Sequence, residues 1–201
     1  MRFRSLLLAL TSGLAAAMSF SAVFAAEPEG EATGTAAVSQ RLPLAGQATY
    51  QYHFVPFYVA TLRLPATRHG DQDLSDGLTA YQLDLVWQPT QLDAAKVRAY
   101  WRDELQSATA PDTYFRIGPR VEHFLALLPA VKHGDAWSFS YEPDAGLFFF
   151  VDGKSVGRLT GIEFNRSLLA VWVGENADPD ARAALLGLAR TDTNAAYAIS
   201  P

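Results

Sequence analysis

The short run most suggestive of chemistry is Gly153-Lys154-Ser155-Val156-Gly157, which satisfies the Gly-x-Ser-x-Gly pattern of a hydrolase nucleophile. That chemistry needs a strand-to-helix turn that lifts the serine oxygen clear of the backbone. Asp152-Gly153 instead reads as a hairpin turn between two strands, so no nucleophile elbow is expected. Gly153-Lys154-Ser155 also echoes the end of a phosphate-binding loop, but Phe148 occupies the earlier glycine position such a loop requires. The four histidines, His53, His69, His123 and His133, show no paired metal-ligand spacing; His53 reads as a sheet residue and His133 as a turn residue, and no metal site is expected. Asp84, Asp93, Asp103 and Glu104 could supply a carboxylate pair for acid–base work, yet in an acidic chain they read as solvated surface. Asn165-Arg166-Ser167 fits a glycosylation sequon but falls within a predicted helix. No dinucleotide fingerprint occurs, and no cofactor is expected.

The 201 residues carry 16 Lys plus Arg against 21 Asp plus Glu, a formal net charge of -5 with no basic block, which argues against a nucleic-acid partner. The absence of Cys excludes disulfides, a thiol nucleophile and thiolate metal sites. Stability must then come from the core, and with 49% hydrophobic residues the chain reads as one compact soluble domain.

Residues 1–25 read as a secretory signal peptide. Arg2 and Arg4 precede apolar stretches at 6–10 and 14–24, and Val23-Phe24-Ala25 offers a small-residue exit. Loss of this segment leaves 14 basic against 21 acidic side chains, an acidic product placed in the periplasm or secreted, with no membrane span. Residues 26–41 are rich in Gly, Pro, Glu, Thr and Ala and read as a disordered leader, and 190–201 as a loose tail. The folded domain is expected over 42–189.

Within it, residues 49–64 (TYQYHFVPFYVATLRL) favour a long strand or a hairpin with a bend or bulge at Pro56. A polar loop follows at 65–77. Tyr81, Leu83, Leu85 and Trp87 alternate with more polar neighbours, the period of a strand with one buried face. Residues 93–107 predict a helix whose stripe is Val97, Tyr100, Trp101 and Leu105, and a second helix is expected to begin near Pro119 and stop at Pro129. Strands at 136–142, 147–151 and 155–159 predict an antiparallel meander. Thr160-Gly161-Ile162-Glu163 has the spacing of a capping box ahead of a helix carrying Phe164, Leu168, Leu169 and Trp172, and Asp178-Pro179 opens a last short helix. Segregated strands and helices predict an α+β fold, with helices on one face of an antiparallel sheet.

The run 131–187 (VKHGDAWSFSYEPDAGLFFFVDGKSVGRLTGIEFNRSLLAVWVGENADPDARAALLG) resembles the chalcone-isomerase-like proteins that bacteria export. The resemblance rests on Lys132-His133-Gly134-Asp135, Tyr141-Glu142-Pro143 with Gly146, Gly153-Lys154, Gly157, Gly161, Phe164, Trp172-Val173-Gly174 and Leu185-Leu186-Gly187. Upstream, Leu42-Pro43-Leu44-Ala45-Gly46 and 54–64 (FVPFYVATLRL) resemble that family's opening strands. The resemblance implies an open-faced β-sandwich, a large antiparallel sheet with a helix layer on one side and a cleft between them.

Plant members of this superfamily close a flavanone ring, with an arginine, threonines, a tyrosine and an asparagine surrounding the developing negative charge. By this resemblance the strand threonine falls at Tyr58, the helix tyrosine and asparagine near Asp93 and Tyr100, and the late threonine at Val171, while residues 46–50 hold no Arg. The catalytic set is not retained. Relatives lacking that set include fatty-acid-binding proteins, so the resemblance implies an exported, non-catalytic protein that binds a small apolar or amphipathic ligand, fatty-acid-like or aromatic, in the cleft. The residues it places around that cleft are Tyr58, Tyr100, Trp101, Phe164 and Trp172, with Arg63 or Arg98 to meet a carboxylate head group. Two alternatives stand beside this: an isomerase or lyase using Tyr58, Tyr100 and Asp93, and a cell-envelope interaction protein.

Overall fold

The computed structural model describes residues 42–66 and 71–188. The expected signal peptide, leader and tail, and His69, lie outside them. Among the described residues the order is β1 (Leu44–Tyr52), β2 (Val55–Arg63), α1 (Asp71–Ser75), β3 (Tyr81–Trp87), β4 (Gln91–Leu92), α2 (Ala94–Ala108), α3 (Pro111–Leu127), β5 (Val131–Lys132), β6 (Ala136–Glu142), β7 (Gly146–Val151), β8 (Lys154–Leu159), α4 (Ile162–Val173) and α5 (Pro179–Leu185). Six strands form one antiparallel sheet in the order β1-β2-β3-β6-β7-β8, while β4 pairs with β5 in a separate ribbon. The chain runs through the hairpins of β1 to β3, crosses by way of α2 and α3, and lays β6 beside β3 before the second meander. The sheet is open rather than closed, and the fold is α+β.

Period-two patterning decides which face of the sheet meets the helices. Tyr58, Ala60 and Leu62 of β2, Tyr81, Leu83, Leu85 and Trp87 of β3, and Trp137, Phe139 and Tyr141 of β6 are buried, while their neighbours in sequence turn to the other, partly solvated face. Against this wall α2 sets Val97, Trp101 and Leu105, α3 sets Ile117, Val121 and Phe124, and α4 sets Phe164, Leu168, Leu169 and Trp172. The two walls meet in a layer of rings. Trp101 lies 5.3 Å from Trp172, 5.8 Å from Phe124 and 6.3 Å from Trp137, and Phe139 stacks on Phe149 at 4.9 Å. Truncating any one of them to alanine is expected to cost about 3–5 kcal/mol.

Residues 49–64 form a hairpin whose two-residue turn is His53-Phe54, both in the left-handed region at φ 49° and 65°. His53 is therefore a turn residue and not a sheet residue. The right-handed twist of the strands favours this turn, but without glycine each such position carries strain of about 1 kcal/mol. Asp152-Gly153, at φ 49° and 75°, makes the corresponding turn between β7 and β8 with residues suited to it. The Gly-x-Ser-x-Gly run thus continues into strand β8, not a helix.

Three expectations are corrected. The second helix begins at Pro111, and Pro119 lies inside it. Pro111 takes the first-turn position that suits proline, and Pro119 stands on the solvent side, where the Phe115 carbonyl that loses its partner can be hydrated. The supposed capping box is absent, because Gly161 at φ 107° caps α4 without a side chain and Glu163 instead reaches Arg116 of α3 at 2.9 Å. The polar loop at 65–77 contains α1, anchored by its single buried apolar residue, Leu74.

Gly46 explains the close seat of α5 on β1. A Cβ there would stand 2.5 Å from the Leu185 carbonyl oxygen and closer still to that of Ala184, both backbone atoms that cannot swing aside. Gly46→Ala is expected to destabilise the domain by about 2–4 kcal/mol, read as a lowered midpoint in urea unfolding. A midpoint within error of the parent would show that α5 does not depend on this contact.

Candidate functional site

A break in sheet regularity builds the site. On β1 and β2, Tyr50 pairs with Tyr58 but Gln51 pairs with Pro56, so Phe57 is the extra residue of a β-bulge. Such a bulge re-aims side chains. Phe57 and Tyr58, consecutive in sequence, are both buried and both contact Tyr100 of α2, at ring separations of 4.6 Å and 6.4 Å. Tyr58 and Tyr100 share a hydrogen bond between their hydroxyls at 3.2 Å, and Tyr50 stacks on Tyr58 at 5.1 Å. Tyr52, at the base of the His53-Phe54 turn, stands edge-on to Tyr100 at 5.7 Å.

Three of these rings, Tyr52, Phe57 and Tyr100, line a surface pocket of about 240 Å³ together with Leu92, Lys96, Ala99, Asp103 and Glu104. A groove of about 540 Å³ runs beside it along Tyr50, Gln47 and Gln51, with Asp178, Asp180 and Ala181 opposite. The Tyr50 hydroxyl is buried and has no hydrogen-bond partner among the described residues.

Burial pushes the phenols of Tyr50, Tyr58 and Tyr100 well above the ordinary tyrosine value, and neighbouring acidic groups add to the effect. They remain protonated hydrogen-bond donors through neutral pH and supply no general base. Burial first, and the charge of Asp103 second, raise the Glu104 carboxyl above its usual range. The cluster can orient a polar group and offer ring faces to an apolar one. Nothing in it is poised to remove a proton from a ligand except the half-buried Glu104.

Tyr58 and Tyr100 are thus brought together, with Tyr100 lining the pocket and Tyr58 fully buried behind it. Trp101, Phe164 and Trp172 lie on the expected elements, but all three are buried in the ring layer and line neither of these cavities. The indole N–H groups of Trp101 and Trp172, with those of Trp87 and Trp137, are enclosed without hydrogen-bond partners among the described residues. Arg63 is on the wrong side of the sheet for the cleft. Leu62 and Leu64 are buried, so Arg63 points to the open face, where it lies 4.0 Å from Asp84, a carboxylate that also accepts from Ser138 at 2.6 Å and Gln82 at 2.8 Å. Arg98 donates to the Leu128 carbonyl at 3.3 Å and so closes the end of α3. Asp93 is the exposed N-cap of α2, accepting from the Lys96 N–H at 2.9 Å, and Val171 is buried in α4. His133 donates from Nδ1 to the Gln88 carbonyl at 2.9 Å, and no group of three metal-ligating side chains occurs among the described residues.

Sequence reasoning missed Tyr50, Tyr52 and Phe57, and set Glu104 aside as surface. Glu104 had a signal, because it stands one helical turn after Tyr100 and must share its face. Phe57 had none, since its direction follows from the bulge.

The chain matches the sequence profile of the family described as chalcone isomerase-like over residues 31–187. No curated protein matches. Among solved structures, a fatty-acid binding protein of Arabidopsis thaliana superposes with a TM-score of 0.60 at 14% identity, covering 73% of this chain and 87% of that one. At that identity the likeness is one of fold.

The raised Glu104 carboxyl has a definite sign for stability. Its charged form is disfavoured in the folded state, so the fold carries a penalty above the raised value that disappears as pH falls through the ordinary carboxylate range. Glu104→Gln is expected to raise the unfolding free energy at pH 7 by roughly 0.5 kcal/mol, with the advantage over the parent gone near pH 4. Thermal melts of both proteins at the two pH values check this, and a pH-independent difference would contradict it.

Proposed function

Since the chain belongs to the chalcone isomerase-like family, its sheet and helix layer provide a known ligand-binding framework, and we propose that it is a non-catalytic binding protein for a small apolar or amphipathic molecule. The pocket walled by Tyr52, Phe57 and Tyr100 carries this reading, because it sets three ring faces beside a hydrogen-bonded pair of phenols at the edge of the sheet–helix cleft. The similarity to a plant fatty-acid binding protein supports it. Of the positions that the family resemblance assigns to chalcone cyclisation, Tyr58 and Tyr100 meet, but Asp93 caps a helix in solvent and Val171 is core, so the set does not assemble. The remaining phenols are held protonated, which suits recognition more than proton transfer.

At about 240 Å³ the pocket is below the usual range for drug-sized ligands, and it accommodates one ring or the end of a chain, with the rest lying along the surface. The signal-like segment at 1–25 supports placing this activity in the periplasm or outside the cell.

Ala99 is exposed on α2 and lines the pocket, so Ala99→Trp fills the site without touching the core. The full chain and this variant are to be purified from exporting cells, denatured, and their extracts compared by mass spectrometry. A small molecule near equimolar with the parent and depleted at least tenfold in the variant, at unchanged melting temperature, is the expected result. Equal amounts in both, or none in either, would count against the pocket as the binding site.

A further inference from the structure

The pocket beside Tyr100 is aromatic on one side and carries two carboxylates against one ammonium on the other. Resting on the binding role proposed above, we infer that the polar end of the ligand is an organic cation, an alkylammonium or quaternary ammonium group, and not a carboxylate.

Three rings form the aromatic side. Tyr52 and Tyr100 meet at 89°, Phe57 and Tyr100 at 61°, with centroids 5.7 Å and 4.6 Å apart, so the walls turn a corner rather than lying in one plane. A cation within about 6 Å of such ring faces is attracted by their quadrupoles, and a quaternary ammonium suits several rings at once. The phenols keep their protons, so the rings act as neutral faces and donors.

Asp103 and Glu104 supply the charge. Both line the pocket, and neither has an ion-pair partner among the described residues. The lining holds one cation, Lys96, and its ammonium lies 3.4 Å from Asp93. Asp178 and Asp180 extend the negative field into the adjoining groove, and the charges of Asp178 and Glu104 both act on the Tyr50 phenol. A carboxylate end would meet like charge in a partly desolvated setting. No arginine lines the pocket: Arg63 lies on the far face of the sheet, and Arg98, whose Nε is buried without a partner among the described residues, donates to the Leu128 carbonyl at the end of α3. A cation would instead supply Glu104 with the stabilisation that burial has removed, and the net charge of -5 favours its approach.

Calorimetric titration of the full chain with decyltrimethylammonium, decanoate and decanol, each below its micellar concentration at pH 7.5 and low salt, separates the possibilities. Decyltrimethylammonium is expected to bind at least tenfold more tightly than decanoate. In the Asp103→Asn, Glu104→Gln double variant that preference should fall to within about threefold, with decanol unaffected. Decanoate binding as tightly as the cation would overturn the inference and leave the binding role standing, whereas no binding of any of the three would overturn both. An unchanged preference in the double variant would also overturn it, as general ion exchange at an acidic surface.

Discussion

A continuous layer of rings between sheet and helices holds this domain together. Trp87 meets Trp137 at 4.8 Å, Trp137 meets Trp101 at 6.3 Å, and Trp101 meets Trp172 at 5.3 Å, so β3, β6, α2 and α4 are joined through aromatic contacts at the centre of the molecule. Large rings fill such a space at the density of a core and leave little freedom to rearrange. Where the layer is complete, the cleft that the fold could provide is occupied by the protein's own side chains. The aromatic pocket lies instead at the edge, where the β1–β2 hairpin runs past α2 and a bulge directs Phe57 and Tyr58 to the same side.

That edge has its own physical character. Ring packing excludes water from the phenols of Tyr50, Tyr58 and Tyr100 and keeps them protonated, while α2 brings Asp103 and Glu104 to the same opening. Hydrogen-bond donors, ring faces and carboxylates therefore converge without an arginine. The hairpin turn that forms one lip places Phe54, almost fully exposed, in a left-handed conformation that favours glycine. Strained positions of this kind persist where the surrounding structure enforces them, here through Tyr52 packing on Phe57 and Tyr100.

Much of the architecture could be read from periodicity. The alternation of Tyr81, Leu83, Leu85 and Trp87 marks the inner face of β3, and of the α2 stripe Val97, Tyr100, Trp101 and Leu105 all but the partly buried Tyr100 are fully enclosed. The same parity, applied to Leu62 and Leu64, sends Arg63 to the outer face, away from the pocket. Tyr58 and Tyr100, which the family resemblance places around the cleft, meet at 3.2 Å. Phe57 could not be found, because a bulge is a property of two strands in register and leaves no local mark beyond Pro56. Trp101, Phe164 and Trp172 show the converse limit. Large rings at core-facing positions look alike in sequence whether they line a cavity or fill it.

The central claim is that ligand rests at the Tyr100 edge and leaves the ring layer closed. An amide and indole NMR spectrum of the isotopically labelled full chain, titrated with decanol, tests it most directly. The account predicts shifts at Tyr52, Phe57, Ala99 and Tyr100, with the indole N–H signals of Trp101, Trp137 and Trp172 unmoved. Shifts concentrated on those indoles, with the Tyr100 edge silent, would place the ligand between sheet and helices and contradict the account.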